Sequence, residues 1–357
     1  MKKILLVLAG LVAVGAVVVW SQRDSIRSSL AERAIESRMG GNQIDNLEDG
    51  LHLALCGAGS PIAAPNASGP CVAVVAGKKL VIVDSGSNGR SVLNRMGYQP
   101  GDIEAVFLTH FHSDHIDGLG NMGVSRWAGG DFPGPMPVYG PDGVERVVAG
   151  FNEAYAQDVV YRHAHHGDLV APLASAGLVA VPFAQPAAGE LVTVYDKGGL
   201  KVEALAVEHD PVKPAVGYRF TYKRRSILIT GDTVKSANVE RFAKGVDLLV
   251  HEALATNIVD MMQQAAARAG NKSGAKIMRD IKNYHTSPVE AAEIARDAGV
   301  GHLLYYHIVP PMVSSGQQTL FLNGADEVFP NFTIGQDGVA FSLPANSDDI
   351  IQTSDGL

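Results

Sequence analysis

The segment AVFLTHFHSDHIDGLG, Ala105 to Gly120, decides how this chain is read. It opens on an apolar run that reads as a strand, and it then places His110, His112, Asp114 and His115 almost side by side. Along an extended backbone, residues two apart project to the same side, so His110 and His112 can grip one cation. Asp114 and His115 follow in the turn, where the chain can aim them at a second. Imidazole nitrogens suit zinc, and a carboxylate suits the remaining valences of such a site. A chance solvated cluster is the competing reading. The density of ligand types at the end of one strand makes it the weaker.

A two-ion site needs ligands from elsewhere, and the sequence offers them at the ends of other apolar runs. His209 closes LKVEALAVEH, Asp232 follows SILITG, and His307 closes HLLYYH. Each alone reads as an ordinary core or surface residue. Together they share the structural position of His110, just past a strand.

These segments resemble the metallo-β-lactamase superfamily, in which HFHSDH matches the HxHxDH motif. The later order of His, Asp and His is similar to the branch that holds ribonuclease Z and arylsulfatase-like enzymes. CGAGSPIAAPN (56–66), VIVDSG (81–86), HDPVKPAVGYR (209–219), ITGDT (229–233) and YHTSPVEAAEIA (284–295) resemble further segments of that branch. The resemblance runs from about residue 50 to 310. It implies an α/β fold, the αββα sandwich of the metallo-β-lactamase type, with metals at one edge.

By motif, the resemblance implies His110, His112 and His209 as ligands of one ion. Asp114, His115 and His307 would serve the second, with Asp232 bridging. Two Zn²⁺ ions are the implied cofactors, with iron or manganese as alternatives. Ions about 3.5–4 Å apart can share a hydroxide and steady both the entering and leaving oxygens. Asp114 and His285 are the residues marked for catalysis, His285 as a proton donor or anion contact. Asp84 reads as a residue orienting a ligand histidine or as a structural cap, and Glu252 as a weaker candidate of the same kind. The string YRHAHHGD (161–168) carries His163, His165, His166 and Asp168, which imitate a metal site. With the ligand set already filled, a solvated helix end or a pocket wall touching anions through Arg162 or His166 is preferred.

The flanks set the expected organisation. Lys2 and Lys3 precede an unbroken apolar run from Ile4 to Trp20, at the short edge of the roughly 17–25 residues that span a bilayer. Residues 1–22 are therefore read as a membrane anchor or signal peptide, with the body facing the periplasm. Residues 23–49 are read as a charged stalk, 50–345 as the hydrolase domain, and 346–357 as a frayed polar tail. Cys56 and Cys71 are either a disulfide, which an oxidising compartment permits, or two small buried apolar residues.

The formal net charge of −8 lowers the expectation of a nucleic-acid partner, because phosphate contacts want a basic face. In transfer-RNA-processing members an arm lies between the GYR and GDT segments. Here only a strand, Lys223-Arg224-Arg225 and another strand separate Tyr218 from Asp232. The expectation is an extracytoplasmic hydrolase of small anionic esters, phosphodiesters or sulfate esters, with no nucleic acid as partner. Ribonuclease Z-type RNA cleavage and lactone or β-lactam opening are the alternatives, and oligomeric state stays open between monomer and homodimer.

Overall fold

The computed structural model describes residues 20, 22–33, 35, 41–62, 64, 67–312 and 316–357. Nearly all of the apolar run from Ile4 to Trp20 lies outside the described residues. Among the described residues no helix is long and apolar enough to cross a membrane. Two compact units are present, 1–43 and 44–357. In the first, residues 22–33 are helical and expose Ile26 and Leu30. The second begins at the buried Ile44, a few residues before the expected boundary at Gly50, because that side chain packs beside the first strand's neighbours.

The larger unit forms β1 (Gly50–Gly57), β2 (Cys71–Ala76), β3 (Lys79–Val83), β4 (Ile103–Phe107), β5 (Met136–Pro141) and β6 (Leu178–Phe183). It continues with β7 (Val192–Lys197), β8 (Leu200–Ala206), β9 (Val216–Tyr222), β10 (Arg225–Ile229), β11 (Leu248–Leu254), β12 (His302–Val309) and β13 (Phe332–Ile334). It then returns with β14 (Val339–Pro344) and β15 (Ile351–Asp355). One sheet runs β15-β14-β1-β2-β3-β4-β5-β6 and the other β13-β12-β11-β10-β9-β8-β7.

Alternation along the strands explains the layering. In β4, Phe107 joins the core between the sheets while Val106 faces the helices outside. Helices Leu119–Gly129 and Val144–His166 supply side chains to the core outside the first sheet. Helices Ala237–Phe242 and Pro288–Ala298 do so for the second. The result is the expected αββα sandwich.

Phe107 anchors the end of β4. Its ring stacks on Tyr139 at 4.8 Å and meets Tyr218 and Phe220 edge-on at 5.5 and 6.0 Å. Tyr218 donates from its hydroxyl to the Leu108 carbonyl at 2.6 Å, which fixes the backbone where the strand hands over to His110. Truncating such a buried aromatic costs about 3–5 kcal/mol. The parallel strands β10, β11 and β12 end on the same edge, the place where ligands gather in such sheets.

The tail read as frayed is ordered through β15, which pairs antiparallel with β14. Buried Arg225 explains the difference: its guanidinium donates to the carbonyls of Ser347 and Asp349 and lies 3.0 Å from Asp247 Oδ1. A cation planted at the start of β10 thus ties down a stretch with no apolar pattern of its own. Cys56 and Cys71 form a disulfide between β1 and β2.

Candidate metal centre

Past β4 the chain has no regular element until the short helix Ser113–Ile116, so His110 and His112 hang from a loop. Asp114 and His115 lie on that helix, whose N-cap is His112. His209 follows β8 and Asp232 follows β10. Between β10 and Asp232 sits Gly231, at φ 63°, where an added Cβ would come within 2.8 Å of Thr109. Only glycine turns the chain here without a clash. His307 sits inside β12 at φ 45°, beside a register shift opposite Glu252/Ala253 in β11. A bulge re-aims a side chain, and here it points the imidazole at the edge. A left-handed conformation in a non-glycine residue costs about 1–3 kcal/mol, which the surrounding packing must supply.

The structure brings all seven residues together. His110, His112, His209 and Asp232 offer atoms within 4.8 Å of one another, as do Asp114, His115 and His307. Asp232 stands between the groups. Its Oδ2 is 3.8 Å from His110 Nε2 and from His209 Nε2. Its Oδ1 is 3.5 Å from His115 Nε2 and from His307 Nε2. Asp114 Oδ2 closes the second group, 3.5 Å from His115 Nε2 and 3.4 Å from His307 Nε2.

The donor set fits cations. His115 Nε2, His209 Nε2 and Asp232 Oδ1 are buried without any hydrogen-bond partner, a cost that proteins rarely leave uncompensated. All three atoms face the space between the groups. The opposite ring nitrogens are spoken for: His115 Nδ1 lies 2.8 Å from Asp84 Oδ2, His110 Nδ1 3.0 Å from Thr109 Oγ1, and His209 Nδ1 2.9 Å from the Tyr284 carbonyl. Such contacts fix ring orientation, leaving Nε2 of His115 and His209 for a metal, while His110 Nε2 lies 2.9 Å from His112 Nδ1.

Electrostatics agree. Burial, then neighbouring His115, holds His110 well below the ordinary histidine value. Burial also lowers His112 and His209, which favours the neutral imidazole that a metal binds. Burial alone would raise Asp232, but the surrounding imidazoles, His307 and His115 foremost, hold its carboxylate well below the usual range. His115 goes the other way: burial is outweighed by Asp232 and Asp84, which favour its charged form. A cation at Nε2 would satisfy those carboxylates in place of the proton.

Around this set lie residues that orient it. Asp84, itself at φ 55°, accepts from the Thr109 amide and hydroxyl, both at 2.8 Å. Glu252, fully buried, accepts from the Thr286 amide at 2.8 Å and lies 3.2 Å from His285 Nδ1. His285, Asp232 and His307 form a third group of close ligand atoms, so His285 is at the edge of the second metal position. Burial disfavours its charged form, but Glu252 and Asp232 outweigh that and raise its pKa. Thr109 and the Tyr284 carbonyl had not been singled out from the sequence. Their adjacency to His110 and His285 was the available signal.

His163, His165, His166 and Asp168 do not join the centre. The three histidines end the helix Val144–His166 and Asp168 lies just past it; His163 Nδ1 lies 2.9 Å from the Ala171 carbonyl and Arg162 pairs with Asp158. Among the described residues they form no ligand group.

Residues 81–308, most of the chain and every ligand candidate, match the family described as the beta-lactamase superfamily domain. The chain belongs to the metallo-β-lactamase superfamily. A "Ribonuclease Z" of Mycolicibacterium paratuberculosis is 35% identical over 292 residues, covering 80% of this chain and 96% of that protein. One of Mycobacterium avium is 34% identical over the same shares. Among solved structures, the metallo-beta-lactamase fold protein YhfI from Bacillus subtilis superposes with a TM-score of 0.58 at 20% identity, covering 83% of this chain and all of that one. Human tRNase Z, short form, does so at 0.57 and 20% identity, covering 82% and 99%. These structures share the fold. This chain is a metallo-β-lactamase superfamily hydrolase, ribonuclease Z-like, with a His/Asp set compatible with two metal ions.

Proposed function

We propose that this hydrolase cleaves phosphodiester bonds in RNA, as an endonuclease of the ribonuclease Z type. In this reading His110, His112 and His209 hold one ion, Asp114, His115 and His307 the other, and Asp232 bridges them. One observation carries the two-ion centre on which it depends: the two Asp232 oxygens divide between two imidazole groups. That is the arrangement a pair of adjacent cations requires. The names of the relatives support RNA as substrate, at 35% identity over 96% of one such protein. They run against the expectation, drawn from the −8 charge, that nucleic acid is no partner.

When bound, the ions would polarise the phosphoryl oxygens and lower the pKa of an attacking water. The chain's residues do the rest. Asp114, whose Oδ2 lies 3.5 Å from His115 Nε2 and 3.4 Å from His307 Nε2, would hold the second ion and is the carboxylate beside it that could accept a proton. His285, whose pKa is raised by Glu252 and Asp232 against the effect of burial, can hand a proton to the departing oxygen. The test is a precursor tRNA with a 3′ trailer, assayed beside bis(p-nitrophenyl) phosphate, p-nitrophenyl sulfate and a lactone. Site-specific trailer removal supports the reading. Turnover of small esters without RNA cleavage overturns it.

A second reading keeps the same centre and gives it small anionic esters on the periplasmic side. The Ile4–Trp20 run and the Cys56–Cys71 disulfide favour it, since disulfides persist in oxidising compartments. So does the hairpin between β9 and β10, where only Lys223 and Arg224 intervene and no arm is present. A fusion reporter on the C-terminus, read together with the substrate panel, decides between the two.

A further inference from the structure

Immediately before His285 the chain makes a helical hairpin, Thr256–Arg268 followed by Lys272–Asp280. Its packing is one-sided. Met278 and Ile281 pack with Ile62 against the small cluster of Leu254, Val259 and Val309, while the second helix has no fully buried residue. Lys272, Lys276 and Arg279 fall at i, i+4 and i+7, so they form one stripe on the face turned away from that apolar side. All three are exposed; the side chains of Lys276 and Arg279 keep 65% and 62% of their accessible surface.

The hairpin reverses the charge of the molecule around it. Arg268, Lys272, Lys276, Arg279 and Lys282 stand against Asp260 and Asp280 alone, in a chain whose net charge is −8. The two acids are shared among Lys276, Arg279 and Lys282. Among the described residues Arg268 and Lys272 form no ion pair. The stripe also leads somewhere. Past Lys282 come Tyr284, whose carbonyl receives His209 Nδ1, and then His285 beside Asp232. The C-terminal end of this helix, Asp280, is thus five residues of chain from His285. The helix extends about 13 Å at 1.5 Å per residue, enough for several phosphates of a nucleic acid backbone.

We propose that the Lys272–Asp280 helix is the docking rail for the RNA backbone, taking the part that an arm between β9 and β10 would otherwise play. The inference rests on the RNA reading above and adds where the substrate is held. It makes the contact electrostatic and sequence-independent, because exposed Lys and Arg on one helix face meet phosphates and no base edges.

The test uses the full chain and a K272Q/K276Q/R279Q variant, with a K272E/K276E/R279E variant as the stronger form. All three positions are solvent-facing and none touches the metal ligands. Binding is read by anisotropy of fluorescein-labelled mature tRNA, which has no trailer left to remove. Cleavage is read on precursor tRNA and on bis(p-nitrophenyl) phosphate. The glutamine variant should bind tRNA about tenfold more weakly, and its plot of log affinity against log salt should be shallower by about 2, as three lost phosphate contacts require. Its kcat/KM on the small diester should be unchanged. Wild-type affinity and slope in both variants would overturn the rail even if precursor tRNA is cut. If wild type binds tRNA through the stripe but never cuts it, the rail stands and the endonuclease reading falls. Loss of binding to phosphatidylglycerol vesicles with tRNA affinity intact would make the stripe a membrane contact and overturn the proposal.

Discussion

The metal-facing atoms come from two kinds of place, and the contrast shows how the centre is built. His110, His112, Asp114 and His115 belong to one loop and one helical turn, so their relative positions are set by local backbone. His209 and Asp232 lie just past β8 and β10 and His307 lies within β12, and only sheet register brings them together. The first group is braced from behind by Asp84, which holds Thr109 and His115 at once. The second is aimed by backbone conformations that side chains resist, Gly231 at φ 63° and His307 at φ 45°. A compact motif is thus the fixed half, and the long-range half closes on it.

Asp232 is where the halves meet, so its removal should have the largest effect. Asp232→Ala takes an oxygen from each group. Metal content by elemental analysis should fall from near two ions per chain, and activity by at least about 10³-fold, the several kcal/mol that metal charge stabilisation supplies. Full metal content in this variant would show that the two groups bind independently and would break the comparison at its hinge.

His285→Ala comes next. The residue approaches from the long-range half without being needed to complete either of the two ligand groups. Metal content should stay near wild type while turnover drops about 10²–10⁴-fold on substrates whose leaving oxygen needs a proton. With p-nitrophenolate as leaving group the loss should be smaller. An equal loss on both kinds of substrate would make His285 an anion contact instead.

Asp84→Asn tests the local half by loosening its brace while sparing every ligand. Asparagine keeps one acceptor for the Thr109 amide but loses the charge beside His115 Nδ1. Metal affinity should weaken about 10–100-fold, as removal of such orienting partners commonly does. Titration with a chelator measures it, and an unchanged affinity would leave Asp84 a structural cap.

The same contrast governs what could be read without coordinates. The local half is legible because strand, turn and ligand types all sit within Ala105–Gly120. The long-range half was legible as positions, each polar residue ending an apolar run, but its grouping needed the family resemblance. What escaped was set by partners distant in sequence. The IQTSD strand β15 has no apolar alternation and is ordered by Arg225, more than a hundred residues earlier. Strand β5 lies between helices, and prolines interrupt the apolar pattern of both β5 and β6. Glu252 was legible only as a weak candidate for orienting a ligand, and its place beside Thr286 and His285, which come from another loop, was not.

Glu252 also gives the smallest and most discriminating effect. Burial pushes His285 towards its neutral form, and the Glu252 carboxylate, with Asp232, reverses that. Glu252→Gln keeps an oxygen for the Thr286 amide, so the loop holding His285 should stay in place. It removes the negative charge, so the pKa of His285 should fall. A general acid works only while protonated, and a lower pKa means the proton is lost at lower pH. The alkaline limb of kcat should therefore move towards acid, by about one unit or less, while the acid limb and the metal content stay put. Because only one limb moves, a full pH profile separates this from simple damage to the site. A rate lowered equally at every pH would mean that Glu252 supports the loop and leaves the proton of His285 alone.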